Sequence, residues 1–98
     1  MYVDIKQSSR KYKKLMAIFY DDSKKKIKTV HFGDNRYEDF TQHHDEKRRA
    51  QYVSRHSSNE DWNDFMSAGA LSYYILWYDK NKDVAIHEYA KRFNLKLL

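Results

Sequence analysis

Seven of the eight lysines in the first third of the chain flank one apolar run, Lys11, Lys13 and Lys14 on one side and Lys24, Lys25, Lys26 and Lys28 on the other. Ammonium groups at this density neutralise phosphates without reading bases, because lysine is a compact charge with no rigid fork to match a base edge. Tyr12, Tyr20 and Phe32 are interleaved with them, and an exposed aromatic ring stacks on an unpaired base. The competing role for the same lysines is to keep a sheet edge soluble.

A second set is Arg48, Arg49, Tyr52, Arg55 and His56. On a helix, Arg48, Tyr52 and Arg55 share one face, where two guanidinium forks would bracket a phosphate or a carboxylate. Asp45 lies three and four residues before Arg48 and Arg49, and Glu60, Asp61 and Asp64 follow closely. Pairing inside the chain is therefore the favoured expectation for these arginines, with Tyr52 and Val53 in the core. A third set, His31, His43, His44 and His56, has Asp39 and Asp45 nearby but no recognised metal spacing, so no metal or other cofactor is expected.

Nothing specifies catalysis. The chain has no Cys, no glycine-rich phosphate loop and no nucleophile elbow, so no catalytic residue is assigned. A nuclease built from His and Arg is the enzymatic alternative that these residue types fit best. Trp62, Phe65, Tyr73, Tyr74, Trp77, Tyr78, Tyr89 and Phe93 form an aromatic group that is first of all core. Trp62 and Tyr78 are the members expected to anchor a protein contact if they reach the surface.

The elements that must position these groups follow from pattern and charge. At 98 residues and 12.0 kDa, the chain has the size of one domain, 1–98. Residues 1–33 carry nine Lys/Arg against three Asp, and residues 34–66 carry five against eight acidic residues. The basic character thus belongs to the N-terminal third, an asymmetry that orients a molecule toward a polyanion. No apolar run approaches the roughly 20 residues that cross a bilayer, and no secretory signal is visible. An intracellular location with no membrane partner is expected.

Lys14 to Tyr20 and Ile27 to Phe32 read as strands of a hairpin turning through Asp21-Asp22-Ser23-Lys24-Lys25, with Tyr2 to Ile5 as a third strand. Gly33-Asp34-Asn35 should end this basic, β-rich part, and residues 34–98 should be helical. One helix is expected from Thr41 or His44 to His56, with Ser57-Ser58-Asn59 breaking it. Ser67 should cap a central buried helix through about Tyr78, and Asp83 a last helix carrying Ile86, Tyr89, Ala90 and Phe93 to a stop at Asn94. The fold class is α+β, a hairpin or three-stranded antiparallel sheet on about three helices.

One ordered string spans most of the chain. It runs through Val30-His31-Phe32-Gly33, Tyr37-Glu38-Asp39-Phe40-Thr41-Gln42-His43, Asp45 with Arg48 or Arg49, Tyr52 and Arg55-His56. Asn59-Glu60-Asp61-Trp62-Asn63, Ala68-Gly69-Ala70-Leu71-Ser72 and Ile75-Leu76-Trp77 complete it. From about Lys14 to Leu95 it resembles a family of small basic proteins of uncharacterised function encoded by nucleocytoplasmic large DNA viruses, the giant viruses of algae and amoebae. The acidic Asp64-Phe65 pair after Asn63 is a departure from that pattern. The resemblance implies a source and no chemistry. A large DNA virus needs basic proteins to neutralise a packaged genome and small proteins that cement a capsid.

The expected function is non-enzymatic, electrostatic binding of nucleic acid without sequence selectivity, with double-stranded DNA as the first partner. Its footprint is Lys11, Lys13, Lys14, Lys24, Lys25, Lys26 and Lys28, reinforced by Arg48, Arg49 and Arg55. The contrasting expectation is a minor virion component whose charges meet an acidic viral protein, with Trp62 and Tyr78 at the interface and a homodimer open to it. Either would act in the infected cell or in the particle.

Overall fold

Alternating side chains build the sheet. In the computed structural model, which describes residues 1–98, β1 (Tyr2–Gln7), β2 (Lys13–Tyr20) and β3 (Lys26–Asp34) form an antiparallel meander. Val3 pairs with Phe19, Ile5 with Ala17, and Leu15 with Phe32, so one face gathers the apolar set, and Val3, Ala17, Phe19 and Phe32 are wholly buried. The β2–β3 connection turns without glycine, as its residues suggested. Asp21 Oδ1 accepts from the backbone N–H groups of Ser23 and Lys25 at 2.9 and 2.8 Å, and Lys24 takes the left-handed conformation at φ 63°.

The sheet has a fourth strand that local pattern did not announce. β4 (Lys96–Leu97) pairs parallel to β1, giving the order β3-β2-β1-β4. Asn94, at φ 54°, stops the preceding helix and turns the chain back, and the buried Leu95 secures the return. The division at residue 33 is therefore not a structural boundary, because the C-terminal end rejoins the N-terminal sheet. β3 also runs through Gly33 to Asp34 instead of ending at Phe32.

The stretch expected to hold one helix, from Thr41 or His44 to His56, holds two, and the second matches the later start. α1 (Phe40–His43) and α2 (Glu46–His56) are separated at His44, whose φ of 55° is left-handed. Two aspartates explain the break. Asp39 caps α1 in a capping box with Gln42, and Asp45 caps α2 by accepting from the N–H groups of Lys47 and Arg48.

Ser67 caps α3 (Ala68–Leu71), as expected, but the continuation Ser72–Trp77 is π-helical. The wider turn spreads its aromatic residues to different neighbours: Tyr73 stacks on Trp62, Tyr74 meets Phe93 and Trp77 stacks on Tyr52. α4 (Lys82–Arg92) is capped by Asn81, not by Asp83, since Asn81 Oδ1 accepts from Val84 N–H at 3.1 Å. Asp83 sits in the first turn, where a carboxylate suits the helix dipole.

α3, the π-helical segment and α4 cover the apolar face of the sheet, and Leu71, Tyr74, Ile75, Leu76, Tyr89 and Ala90 join the sheet residues in one core. The radius of gyration, 13.0 Å, is that of a single domain of about 100 residues. The fold is α+β, with one sheet face covered by helices and one left open. No helix is long and apolar enough to cross a membrane.

Candidate functional site

The open face of the sheet is built by the side chains that alternate with the core. Because Val3, Phe19 and Ala17 point inward, Tyr2, Asp4 and Lys6 of β1 and Met16, Ile18 and Tyr20 of β2 point outward, with Ile18 buried at 9% exposure. The register aligns Lys26, Tyr20, Tyr2 and Lys96 in a row that crosses all four strands. A bulge between Phe19 and Tyr20 brings Lys26 opposite Tyr20. The Nζ atoms of Lys24 and Lys96 lie 5.4 and 5.6 Å from the centroid of the Tyr2 ring. Further along the strands, Lys6, Met16 and His31 form a parallel row. Asp4 lies between the rows and is neutralised by Lys6 at 3.2 Å.

The lysines of the expected footprint do not form one patch. Lys24, Lys25, Lys26 and Lys28 are exposed at one end of the sheet and enter no ion pair. Lys11 and Lys13 lie at the other end of β2, roughly 25 Å away by strand rise. Lys14 is structural: its Nζ is 2.6 Å from Asp39 Oδ2 and 2.7 Å from Gln42 Oε1, and its side chain is only 16% exposed. Among the interleaved aromatics, Tyr12 is exposed between Lys11 and Arg36, whereas Phe32 is wholly buried and offers no surface for stacking.

Two of the three arginines are engaged within the chain, though not by the carboxylates foreseen. Asp45 is occupied as a cap, and Arg48 instead faces Glu38 at 3.8 Å. Arg49 Nε donates to the Trp77 carbonyl at 2.8 Å, with its guanidinium over the Phe40 and Tyr78 rings. Arg55 is exposed without an ion pair and lies on the helical layer, beside Lys13 rather than Lys24–Lys26. Trp62 is half-buried against Tyr73, with centroids 3.8 Å apart, and so is committed to an internal stack. Tyr78 is 37% exposed beside Arg92.

A cleft of about 570 Å³ opens between α2 and the β2–β3 end of the sheet. Its wall is a stack in which Tyr52 lies between His56 and Trp77, each 4.2 Å away. Burial, and then Glu60, raise the Tyr52 phenol above its ordinary value. Hydrogen bonds from Arg36 hold the Asp34 carboxyl down to about 2. Lys13, Lys14 and Arg55 face Asp34, Glu38, Asp39 and Glu60 across this cleft. Only Lys14 is paired there, but four carboxylates face three cations, and an anion gains little. No three His, Asp or Glu side chains converge to hold a metal ion.

His31 gives the open face a pH signature. Its Nδ1 lies 2.7 Å from Ser8 Oγ, which itself accepts from Arg10 N–H, so the hydroxyl proton is free to point at an unprotonated Nδ1. Desolvation, followed by the charges of Arg10 and Lys13, lowers the His31 pKa below its ordinary 6.5. The unfolded chain therefore takes up this proton first. Its contribution to stability is complete above about pH 6.5 and declines as the pH falls through that value toward the lower folded one. Urea midpoints measured from pH 7.5 down to 5.5 should fall less steeply in His31→Gln than in the parent; equal slopes would contradict this.

Sequence reasoning missed Tyr2, Lys6 and Lys96. The alternation Tyr2-Val3-Asp4-Ile5-Lys6 already separates two faces and contains the signal for Tyr2 and Lys6. Lys96 has no local signal, because only its tertiary pairing to β1 places it. No curated protein and no solved structure matches the chain. Residues 3–56, which hold most of β1, all of β2 and β3, and α1 and α2, match a family of unknown function. Over more than half its length, then, this chain belongs to that family, DUF5754.

Proposed function

We propose that this is a small non-enzymatic protein of a large DNA virus that binds nucleic acid through charge, without sequence selectivity, on the open face of its sheet. The observation that carries the reading is the set of exposed cations without ion pairs, Lys24, Lys25, Lys26 and Lys96, gathered at one end of a sheet face that no helix covers, while Lys28, opposite the inward Phe19, stands at that end on the other face. The viral assignment rests on the ordered string from Val30 to Trp77. Both uses that such a virus has for a basic protein, in the infected cell or in the particle, are served by binding that ignores sequence.

The test removes the turn cations and leaves the fold in place. Lys24 has φ 63°, a conformation asparagine tolerates well, so the variant is Lys24→Asn with Lys25→Gln and Lys26→Gln. Each phosphate contact contributes roughly 0.7 to 0.9 to the slope of log affinity against log salt. The triple variant should therefore flatten that slope by about two and bind roughly tenfold or more weakly at low salt. An unchanged slope in a folded variant would overturn the assignment of the face.

A further inference from the structure

We propose that the row Lys26, Tyr20, Tyr2 and Lys96 seats single-stranded nucleic acid, with unpaired bases on the two tyrosine rings and backbone phosphates on the flanking lysines. This rests on the nucleic-acid reading above and narrows it to a polymer whose base faces are exposed.

The geometry comes from the register. Tyr2 and Tyr20 are direct cross-strand partners, so their Cβ atoms stand about 5 Å apart on the open face. Lys26 on β3 and Lys96 on β4 close the row at its two ends. With neighbouring strands about 4.8 Å apart, the row spans roughly 14 Å, room for two nucleotides and their phosphates.

Lys24 Nζ and Lys96 Nζ lie over the Tyr2 ring, 5.4 and 5.6 Å from its centroid, and a base that stacks on that ring displaces them. A phosphate next to a base stacked there comes within their reach. The row of Lys6, Met16 and His31 continues the surface along the strands.

Two of the three acidic groups near this surface are neutralised by cations. Asp4 pairs with Lys6 at 3.2 Å, and Asp22 pairs with the N-terminal ammonium at 2.6 Å. Asp21 is engaged by two backbone N–H groups of its own turn. A duplex would use only the lysines, because its bases are hidden from a flat aromatic platform. A single strand uses lysines and tyrosines together, since every base has a π face.

The experiment measures binding of the full chain to an oligothymidylate of about ten nucleotides, to a duplex of equal length, and to an abasic single strand carrying the same phosphates. The variants are Tyr2→Leu, Tyr20→Leu, Tyr2→Phe and Tyr20→Phe, each checked for folding by circular dichroism. Oligothymidylate should bind at least tenfold tighter than the other two polymers. Each Leu variant should lose about tenfold on oligothymidylate alone, and each Phe variant should keep the parent affinity. In the wild type, the ring protons of Tyr2 and Tyr20 should shift upfield on titration, which frees the test from dependence on any variant.

Equal affinity for oligothymidylate and the abasic strand, with unmoved tyrosine signals, would overturn the stacking proposal and leave electrostatic binding standing. Preference for the duplex would likewise overturn it. No binding to any of the three at low salt would overturn both readings.

Discussion

Truncating Asp39 to alanine should lower the unfolding free energy by about 3–5 kcal/mol, the scale for removing one partner of a buried ion pair. Asp39 is 2% exposed and serves three donors from two residues at once. Its carboxylate accepts from the Thr41 N–H at 2.9 Å, from the Thr41 hydroxyl, and from Lys14 Nζ at 2.6 Å. Alanine would uncap α1 and leave the Lys14 ammonium poorly solvated between sheet and helix. In a domain with a total stability of about 5–15 kcal/mol, the melting temperature should drop by roughly 15–30 °C. Adding Lys14→Met to Asp39→Ala should restore part of the loss, because the stranded charge goes with it. Urea denaturation measures both, and a loss below about 1 kcal/mol in the single variant would contradict the role assigned to this pair.

Gly33→Ala should cost about 2–5 kcal/mol by two additive routes. Gly33 has φ +80°, a backbone conformation that strains any residue with a Cβ. A Cβ built there would also fall 2.6 Å from Leu76 Cδ1, and Leu76 is 2% exposed and cannot retreat. The contrast is Gly69, the only other glycine in the chain. There a Cβ would meet Glu60 Oε2 at 1.9 Å, but that carboxylate ends a flexible, half-exposed side chain. Its displacement, set against the roughly 1 kcal/mol by which alanine outdoes glycine in a helix, should leave Gly69→Ala nearly neutral. Thermal unfolding of the two variants should separate them clearly, and equal losses would contradict this account of the sheet–helix seam.

What could be read from the sequence divides along the line between local and tertiary causes. β2 and β3 were legible because apolar, β-branched and aromatic residues mark them, and Ser67 was legible as a cap because a serine preceding a helix has one chemical use there. The Asp21–Lys25 turn was legible for the same kind of reason. The split of α1 from α2 was not, since Asp45 reads equally well as an acidic first-turn residue until the left-handed His44 is known. β4 was invisible because two residues carry no period, and its partner lies at the far end of the chain. The π-helical turn was invisible because an all-round aromatic segment looks the same at 3.6 residues per turn as at a wider winding.

The candidate site divides the same way. Lys24, Lys25, Lys26 and Lys28 are exposed, as their charge suggested, but Lys14 and Arg49 found partners in helices whose placement no local pattern encodes. Tyr20 was seen as an aromatic among lysines. That it stands beside Tyr2, with Lys26 and Lys96 flanking the pair, is a fact of register, which depends on how four strands from both ends of the chain align.

The central claim is that the open face of the sheet is where nucleic acid binds. Amide chemical-shift mapping of the uniformly labelled full chain, titrated at low salt with single-stranded and duplex DNA, tests it most directly. The account expects the largest shifts at Tyr2, Tyr20, Lys24–Lys28 and Lys96, reversed by added salt, with α2 and the cleft beside it left unmoved. Shifts centred on Arg55 and the cleft, or no shifts with either polymer, would contradict it.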